Sequence, residues 1–506
     1  MIEGVQLERQ GVMREFLDKT FDFSGNGMDL LDIFRDEPYV FLLDSSQQER
    51  YRGRYSFLGF DPFHVIRADG KDALHFLKRE FLVYGEGASS VRGQSVTSEE
   101  NSSRGRKELP PLIGGAVGFI SYDYGLSQEG IPSSSKKDVL LPDILFGLYD
   151  CVLSIDHWEG KLRVISTGLP EKNGVLKEKR ARDRLRYVLD KLSGYVNNPP
   201  GAYSGKMPGL LLDNADLGLQ CHFSTEQYLR AVNKALEYIR RGDIYQVNLS
   251  RRFEFNPQGS LWEPRRVYRS LRHMSPTFFG GYFDAGDFQI ISSSPERFVR
   301  VKKGVVQTQP MKGTIPRGEN AGRDRDLKKA LRLSRKDKAE LLMITDLERN
   351  DLGRVCAYGT VRVKKMRAIE SYRTVFQATA TIEGVLRKDK DIFDLIRAAF
   401  PGGSITGCPK IRAMQIIEEL EPTKRGLYTG CLGYIDFNGN MDFNILIRTV
   451  LAYQNKLYFQ VGSGIVADST PEKEDEEVLI KAKAIRLSLQ DVFGRVEQCP
   501  PLLVRS

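Results

Sequence analysis

Strand-like segments of this chain occur in hairpin pairs, without the regular strand–helix–strand alternation of a doubly wound sheet. The segment ILFGLYDCVLSID is followed by the turn HWEGK and the strand LRVIS, and PYVFLLDS is a further strand-like piece. Helices are expected between the strands of the second half, at about residues 322–347, 391–399, 409–420 and 471–490. Hairpins mixed with separate helices predict an α+β fold.

One helix carries its own start signal. Ser224 and Gln227 have the spacing of a capping box, and an apolar stripe from Tyr228 to Ile239 ends before Gly242. The alternating strand DIYQVNLSRRFEF follows it. Two stretches rich in Ser, Gly, Asn or Pro, residues 86–111 and 193–209, indicate linkers. We therefore expect an N-terminal region at 1–215 and a second region at 216–495.

Composition limits the class of protein. The 506 residues are enough for two to four domain-sized units or one large composite domain. No apolar run approaches the roughly 18 residues that span a bilayer, and the N-terminus lacks an apolar signal segment, so we expect a cytoplasmic protein without a membrane partner. Six cysteines without a CxxC pair argue against a disulfide framework and a structural zinc site.

The charge distribution bears on the partners of the chain. The formal net charge of +9 is spread without a basic run or a nucleic-acid-binding motif, which favours attraction of small anions over nucleic acid. No histidine follows residue 273. Proton transfer in the second half must therefore use carboxylates, lysine, tyrosine or water.

Lys312 stands in the segment TQPMKGTIPRG, between two prolines and next to Gly313 and Thr314. A free lysine has a pKa of about 10.4 and is protonated at neutral pH. Burial or a neighbouring cation lowers that pKa and yields a nucleophilic amine. From these residues alone, two interpretations stay open: a solvated charge on a loop, or a lysine held for chemistry.

Two helical segments carry carboxylates three residues apart. Asp337 and Glu340 share one face in SRKDKAELLMITDLERND, and Glu474 and Glu477 share one in TPEKEDEEVLIKAKAI, with Lys481 one turn further. Mg²⁺ prefers such oxygen ligands and commonly uses one or two carboxylates together with an anionic substrate. The alternative is that both pairs are solvated helix faces.

A glycine-rich loop precedes another helix in AAFPGGSITGCPKIRAMQIIEELEP. Thr406 is a candidate cap for that helix and Pro409 suits its first turn. The free N–H groups at such a start bind carboxylate or phosphate, although an ordinary capped helix has the same pattern. Cys431, in TGCLGYI, has no histidine downstream to activate it, so we expect a packed thiol.

The chain resembles the chorismate-utilising enzymes in six segments that occur in the order of that family: SSSPERF, QPMKGTIPRG, AELLMITDLERNDLGRV, FPGGSITGCPKIRAMQIIEELEP, GYIDFNGNMDFNILIRTV and GSGIVADSTPEKEDEE. The resemblance is strong over residues 220–490 and looser before them, through FLLDSS and RYSFLGFDPF. It implies two sheets packed as an orthogonal β-sandwich flanked by helices. It also implies that residues 216–495 are the chorismate-binding catalytic region.

The resemblance assigns roles to the carboxylates. It implies that Glu340 and Glu477 bind Mg²⁺, that Asp337 and Glu474 hold its waters, and that the metal grips the ring carboxylate of chorismate. Glu296, in SSSPERF, would be the general acid. Binding of the substrate is expected from the following residues: Gly313, Thr314, Ser404, Tyr434, Arg448, Gly462, Gly464 and Lys481.

Two positions distinguish branches of the family. Isochorismate and salicylate synthases carry a base lysine at the position of Gln246, and an amide cannot activate water as that lysine does. Anthranilate synthases usually carry alanine at the position of Lys312, whereas aminodeoxychorismate synthases carry lysine in a similar PIKGT motif. The resemblance therefore implies amination of chorismate at ring carbon 4 through a covalent Lys312 intermediate, on the route to para-aminobenzoate and folate.

The resemblance also indicates partners. The chain has no glutaminase segment, so we expect it to use ammonia, supplied from glutamine by a separate amidotransferase subunit. FLLDSS is similar to a motif that lines a tryptophan pocket in relatives, and whether tryptophan binds here stays open, as does the role of Gln377. The alternatives are an anthranilate synthase component and a catalytically silent binding protein.

Overall fold

A computed structural model describes residues 16–49, 52–85, 109–197, 217–257, 262–372 and 375–494. The helices within these ranges, numbered along the chain, are α1 (Gly27–Ile33), α2 (Ala73–Leu82), α3 (Tyr122–Glu129), α4 (Gly174–Asn197), α5 (Thr225–Arg240), α6 (Pro264–Met274), α7 (Ala321–Leu333), α8 (Arg335–Gly353), α9 (Ile392–Ala399), α10 (Gly403–Thr406), α11 (Lys410–Leu420) and α12 (Pro471–Phe493). None of these helices is both long enough and apolar enough to cross a membrane.

The strands form two antiparallel sheets. The first sheet has the order β1 (Leu17–Asp22), β8 (Lys161–Ser166), β7 (Cys151–Asp156), β3 (Tyr55–Gly59), β2 (Phe41–Asp44), β11 (Phe279–Asp284), β12 (Phe288–Ser294), β21 (Thr449–Tyr453), β22 (Lys456–Ile465), β10 (Gln246–Phe255) and β18 (Gly407–Cys408), with β9 (Gln220–Cys221) paired to β10. The second has the order β15 (Met311–Pro316), β17 (Val375–Val385), β14 (Val305–Thr308), β13 (Arg297–Lys302), β20 (Met441–Asn444), β19 (Cys431–Asp436), β5 (Gly115–Ile120), β6 (Ile144–Tyr149) and β4 (His64–Ala68), with β16 (Arg362–Ser371) paired to β17.

A shared apolar core joins the two sheets. Phe41 and Ile290 of the first sheet belong to the same buried cluster as Phe119 and Leu432 of the second. Such interdigitation of two inner faces is how a sandwich excludes water. The α+β fold of two packed sheets predicted from the sequence is confirmed.

Both sheets combine strands from the two halves of the chain. In the first sheet β2 pairs with β11, and in the second β5 pairs with β19. The predicted boundary near residue 215 therefore separates two stretches of sequence whose strands are built into common sheets. Most of the predicted linkers, residues 86–108 and 198–209, lie outside the described ranges, but residues 193–197 belong to α4. For those five residues the linker prediction was wrong.

Several predicted helices are present, with one division that the sequence pattern did not reveal. The capping box of Ser224 and Gln227 opens α5 as predicted. The helix expected over 322–347 is instead two, because Ser334 ends α7 and its hydroxyl accepts a hydrogen bond from the backbone N–H of Asp337 at 3.2 Å, which caps α8. Thr406 does not cap α11, since it lies inside α10 and its hydroxyl donates to the Gly402 carbonyl.

A buried arginine ties three of these elements together. Arg425 is buried and donates to both carboxylate oxygens of Glu421 at the end of α11, at 3.0 and 2.7 Å. Its remaining N–H groups reach the carbonyl oxygens of Ile405 in α10 and Asn248 in β10, at 3.1 and 2.7 Å. A planar guanidinium can serve several fixed acceptors at once, so this one residue sets the position of α10 against the first sheet.

Arg425→Met is expected to lower the free energy of unfolding by about 3–5 kcal/mol, because it leaves the buried carboxylate of Glu421 without its cation. Urea unfolding followed by circular dichroism measures the change. The matched control is Arg230→Ala on the exposed face of α5, where the ion pair with Glu226 is worth at most about 1 kcal/mol. Equal urea midpoints for wild type and Arg425→Met would contradict the assigned role.

Candidate active site

Lys312 lies in β15, at the edge of the second sheet, and its amine points inward. The side chain is half-buried, and Nζ donates a hydrogen bond to the backbone carbonyl of Ser404 in α10 at 3.0 Å. Burial lowers the pKa of Lys312 below its usual value, although the carboxylates of Glu340 and Glu296 act in the opposite direction. Of the two interpretations left open by the sequence, a lysine held inside a site agrees with this geometry.

Gly313 allows the strand to bring Lys312 and α8 together. Its φ of +76° lies in the left-handed region, and the pairing of β15 with β17 is irregular between Lys312 and Thr314. A Cβ at Gly313 would lie 2.9 Å from the side chain of Asp337, so the first turn of α8 packs directly on this backbone. The absence of a side chain at Gly313 therefore allows β15 and α8 to pack closely together.

Thr314 and Gln377 contact each other rather than Lys312. Thr314 is exposed on the edge strand, and its hydroxyl accepts a hydrogen bond from Nε2 of Gln377 at 3.2 Å. The Oε1 atom of Gln377 is buried without a hydrogen-bond partner in the described part of the chain. The structure thus gives Gln377 one identified contact, with a residue from the predicted substrate-binding set.

Glu296 lies between β12 and β13 and is almost completely buried, with 4% of its surface exposed. The backbone N–H of Met311 donates to its Oε1 at 3.3 Å, which places the carboxyl next to the strand that carries Lys312. Burial raises the pKa of Glu296, while the nearby amine of Lys312 opposes that rise. A carboxyl with a raised pKa retains a proton to donate, as a general acid requires.

Gly464 in β22 leaves space beside Lys312. A Cβ at this position would lie 3.4 Å from Nζ of Lys312 and 3.0 Å from Nε2 of Gln246. The Gln246 side chain is fully buried, and neither polar atom of its amide has a hydrogen-bond partner among the described residues. An unpartnered buried amide is costly, so this group retains the capacity to bind a polar ligand next to the amine. The sequence excluded Gln246 as a base. It did not reveal that the buried amide of Gln246 lies next to the Lys312 amine.

Lys481 and Gly462 form the neighbouring wall. Nζ of Lys481 in α12 donates to the Gly462 carbonyl at 2.9 Å and pairs with Glu477 at 2.7 Å. A Cβ at Gly462 would lie 2.6 Å from the Leu249 carbonyl, so this glycine permits close packing of β22 on β10. Both residues border the site, but the carbonyl of Gly462 is already occupied by Lys481.

The four predicted carboxylates approach from two helices. Glu340 in α8 and Glu477 in α12 both act on the pKa of Lys312, whereas Asp337 packs against Gly313. Burial raises the pKa of Glu340; at Glu477 burial has the same effect, but the ion pair with Lys481 outweighs it and lowers the pKa. Nowhere in the described ranges do three or more His, Cys, Asp or Glu side chains form a group that could hold a metal ion.

The residues present nevertheless fit the chemistry of a magnesium site. Glu474 is buried with 3% of its surface exposed, and its Oε2 has no hydrogen-bond partner within the described residues. Such an orphaned carboxylate oxygen is a hard donor of the kind that Mg²⁺ and its waters bind. Glu340 and Glu477 supply two further carboxylates on the side of the site that faces Lys312.

Arg448 lies between β20 and β21 with a φ of +50°. Its guanidinium forms no ion pair with the described carboxylates, and burial lowers its pKa even though Glu296 and Tyr372 favour the charged form. This guanidinium has no carboxylate partner among the described residues. It is therefore available for a bidentate contact with an anion.

Tyr434 does not join the other predicted site residues. It lies in β19, where its ring packs edge-on against Phe57 at 5.7 Å between ring centroids. Both rings line a separate cavity of about 500 Å³ that also includes Asp44, Ser45 and Arg300. The structure therefore brings Gly464 to Lys312, and it places Tyr434 in the wall of this second cavity.

The second cavity contains the FLLDSS segment that resembles a tryptophan-binding motif. Asp44 is buried there and accepts hydrogen bonds from Arg272 at 2.5 Å and from Tyr268 at 3.0 Å. Ser56 donates to the same carboxylate at 3.2 Å. These three donors satisfy the hydrogen-bonding capacity of the Asp44 carboxylate, so we assign Asp44 to holding β2 in place. Ser45, the next residue, also lines the cavity.

Comparison with known proteins identifies the family. Residues 38–487 match the chorismate binding enzymes. The chain is 37% identical to aminodeoxychorismate synthase component 1 of Bacillus subtilis, over 87% of this chain and 90% of that protein. It is 36% identical to anthranilate synthase component 1 of Acetivibrio thermocellus, over 90% of this chain and 91% of that protein.

A solved structure agrees with these sequence relatives. The crystal structure of anthranilate synthase component I from Streptococcus pneumoniae superposes with a TM-score of 0.70 and 31% identity, covering 87% of this chain and 93% of that chain. On the strength of the matched segment and of these relatives, the chain belongs to the family of chorismate binding enzymes.

Proposed function

We propose that this enzyme is an aminodeoxychorismate synthase component I, which converts chorismate and ammonia to 4-amino-4-deoxychorismate. The observation that carries the proposal is the amine of Lys312, which is held inside the site by the Ser404 carbonyl and lies beside the open face of Gly464. Burial favours its neutral, nucleophilic form. The alternative, an anthranilate synthase component I, is supported by relatives of nearly equal identity.

The proposed reaction consists of two displacements. The Lys312 amine forms a bond to ring carbon 2 as the ring double bond shifts and the hydroxyl leaves carbon 4. Glu296 gives its proton to that hydroxyl, which departs as water. Ammonia then bonds to carbon 4, the double bond shifts back, and the bond from carbon 2 to Lys312 breaks. The amine is released, pyruvate is retained, and two inversions restore the original configuration.

The remaining residues bind the anionic substrate. Arg448 is assigned to the enolpyruvyl carboxylate, because its guanidinium is unpaired in the described structure and lies near Glu296. Glu340 and Glu477 would hold Mg²⁺, with Asp337 and Glu474 as neighbours of its waters. When bound, Mg²⁺ would supply positive charge for the ring carboxylate of chorismate. Ammonia would come from glutamine through a separate amidotransferase subunit, as the names of component 1 relatives suggest.

The first test is the product. Purified protein incubated with chorismate, an ammonium salt and Mg²⁺ is expected to form 4-amino-4-deoxychorismate, identified by mass spectrometry, without release of pyruvate. An added lyase should then convert that product to para-aminobenzoate. Fluorescent anthranilate together with pyruvate, formed without any lyase, would reject the proposal in favour of the alternative.

The second test is the nucleophile. Lys312→Ala and Lys312→Arg are both expected to lose 4-amino product by at least about 10³-fold, because neither side chain can form the covalent intermediate. Wild-type protein quenched during turnover should carry a chorismate-derived adduct on Lys312 by peptide mass spectrometry. Lys388→Ala, at an exposed lysine in the turn after β17, is the matched control with unchanged turnover. Normal turnover by Lys312→Arg would refute covalent catalysis.

The third test is the metal. Removal of divalent cations with EDTA is expected to abolish turnover, and added Mg²⁺ should restore it. Glu340→Gln and Glu477→Gln should each raise the Mg²⁺ concentration that gives half-maximal activity by about tenfold or more, since each removes one charged ligand. Asp346→Asn, an exposed acid on the same helix as Glu340, should leave that concentration unchanged. Full activity after chelation would exclude the magnesium site.

A further inference from the structure

The second cavity takes no part in the proposed reaction, yet its volume of about 500 Å³ is typical of a small-molecule site. Neither Lys312 nor any of the predicted metal carboxylates is among its lining residues. One part of its wall is aromatic and consists of Tyr55, Phe57, Phe278, Phe279 and Tyr434. These rings offer a flat apolar ligand a surface on which to stack.

A row of polar side chains crosses the second sheet at this cavity. Arg300 of β13 pairs with Gln307 of β14 on one side and with Asp442 of β20 on the other. Asp442 pairs in turn with Tyr434 of β19. Directly paired residues point to the same face of a sheet, with Cβ atoms about 4.5–5.5 Å apart. All four line the cavity, so the Arg300 guanidinium and the Tyr434 ring belong to one continuous surface.

Arg300 is the cation of this row, and it lacks a counter-charge. Its Nε is buried without a hydrogen-bond partner in the described part of the chain, and its guanidinium forms no ion pair with a described carboxylate. Its cross-strand neighbour Asp442 is held instead by Arg297, which donates to both carboxylate oxygens at 2.8 and 3.0 Å. A partly desolvated guanidinium without an acceptor is costly, and a bound anion would remove that cost.

The other charges of the lining leave a positive excess. Seven lining residues are lysine or arginine, whereas two, Asp44 and Asp442, are acids. The Asp44 carboxylate is taken up by Arg272 and Tyr268, and that of Asp442 by Arg297. The cavity therefore attracts an anion, and neither of its carboxylates is available to an ammonium group.

We propose that this cavity binds an aromatic carboxylate that carries no ammonium group. The ring of the ligand would stack on the aromatic wall, and its carboxylate would make a bidentate contact with Arg300. An amino acid such as tryptophan would have to leave its ammonium group unpaired here, which is unfavourable. The FLLDSS segment thus lines a site whose charges favour an anion over a zwitterion. No lining residue is assigned a step in the proposed reaction, so the inference is independent of it.

The test is isothermal titration calorimetry on the full chain, without chorismate or Mg²⁺. The probe is 4-aminobenzoate, whose aromatic amine is uncharged at neutral pH. The comparison ligands are 4-aminobenzamide, which has the same ring without the charge, and L-tryptophan, which adds an ammonium group. 4-Aminobenzoate is expected to bind about tenfold or more tightly than either. No binding of 4-aminobenzoate, or equal or tighter binding of a comparison ligand, would overturn the proposal.

Variants assign the binding to this cavity. Arg300→Met is expected to weaken binding of 4-aminobenzoate by about tenfold or more, because it removes the unpaired guanidinium. Lys312→Ala, outside the cavity, and Arg230→Met, in an exposed ion pair with Glu226, should each leave the affinity unchanged. Unchanged affinity in Arg300→Met, or loss of binding in Lys312→Ala, would refute the assignment. The comparison of ligands uses the unaltered chain, so it decides the proposal even where a variant fails to fold. Because chorismate is absent, the result does not depend on which product the enzyme forms.

Discussion

The buried pair of Arg425 and Glu421 fixes the frame in which the site is built. Its guanidinium holds the Ile405 carbonyl of α10 and the Asn248 carbonyl of β10. The residue before Ile405 is Ser404, whose carbonyl accepts the hydrogen bond of the Lys312 amine. A charge network in the interior thereby fixes the position of the carbonyl that accepts the hydrogen bond of the Lys312 amine.

Burial acts on the lysine and on the acid in complementary ways. It lowers the pKa of Lys312 and raises the pKa of Glu296, so both groups are driven toward their neutral forms. Their mutual attraction opposes this by favouring the charged pair. The neutral pair is the state that the proposed reaction needs, since it combines a free amine with an acid that still has its proton. A site open to water would lose the first effect, and the pair would ionise.

The fold could be predicted from local patterns, but its assembly could not. The capping box of α5 and the strand after it were visible because their signals lie within a few residues. The break at Ser334 was missed because α7 and α8 continue the same polar pattern, and only the bond from the Asp337 N–H marks the new start. The pairing of β5 with β19 joins residues about 300 positions apart, which no local pattern encodes.

The same distinction separates the site residues. Lys312, Glu296, Arg448 and Gly464 were identified through motifs. The structure places Gly464 beside the Lys312 amine and brings Glu296 close enough to Lys312 and to Arg448 to act on the pKa of each. A motif assigns Tyr434 to a strand but not to a face, and in the structure its ring lies against Phe57. Its role in substrate binding stays a prediction.

The shared sheets explain why the residues around Lys312 depend on the N-terminal half. All of the residues around Lys312 lie after position 240, yet β11 needs β2 and β19 needs β5 for their edges. Without those partners β11 and β19 would each be unpaired along one edge, and the core around Leu432 would open. The burial that lowers the pKa of Lys312 and raises that of Glu296 requires the intact sandwich, so the N-terminal strands act on both groups through the dielectric environment.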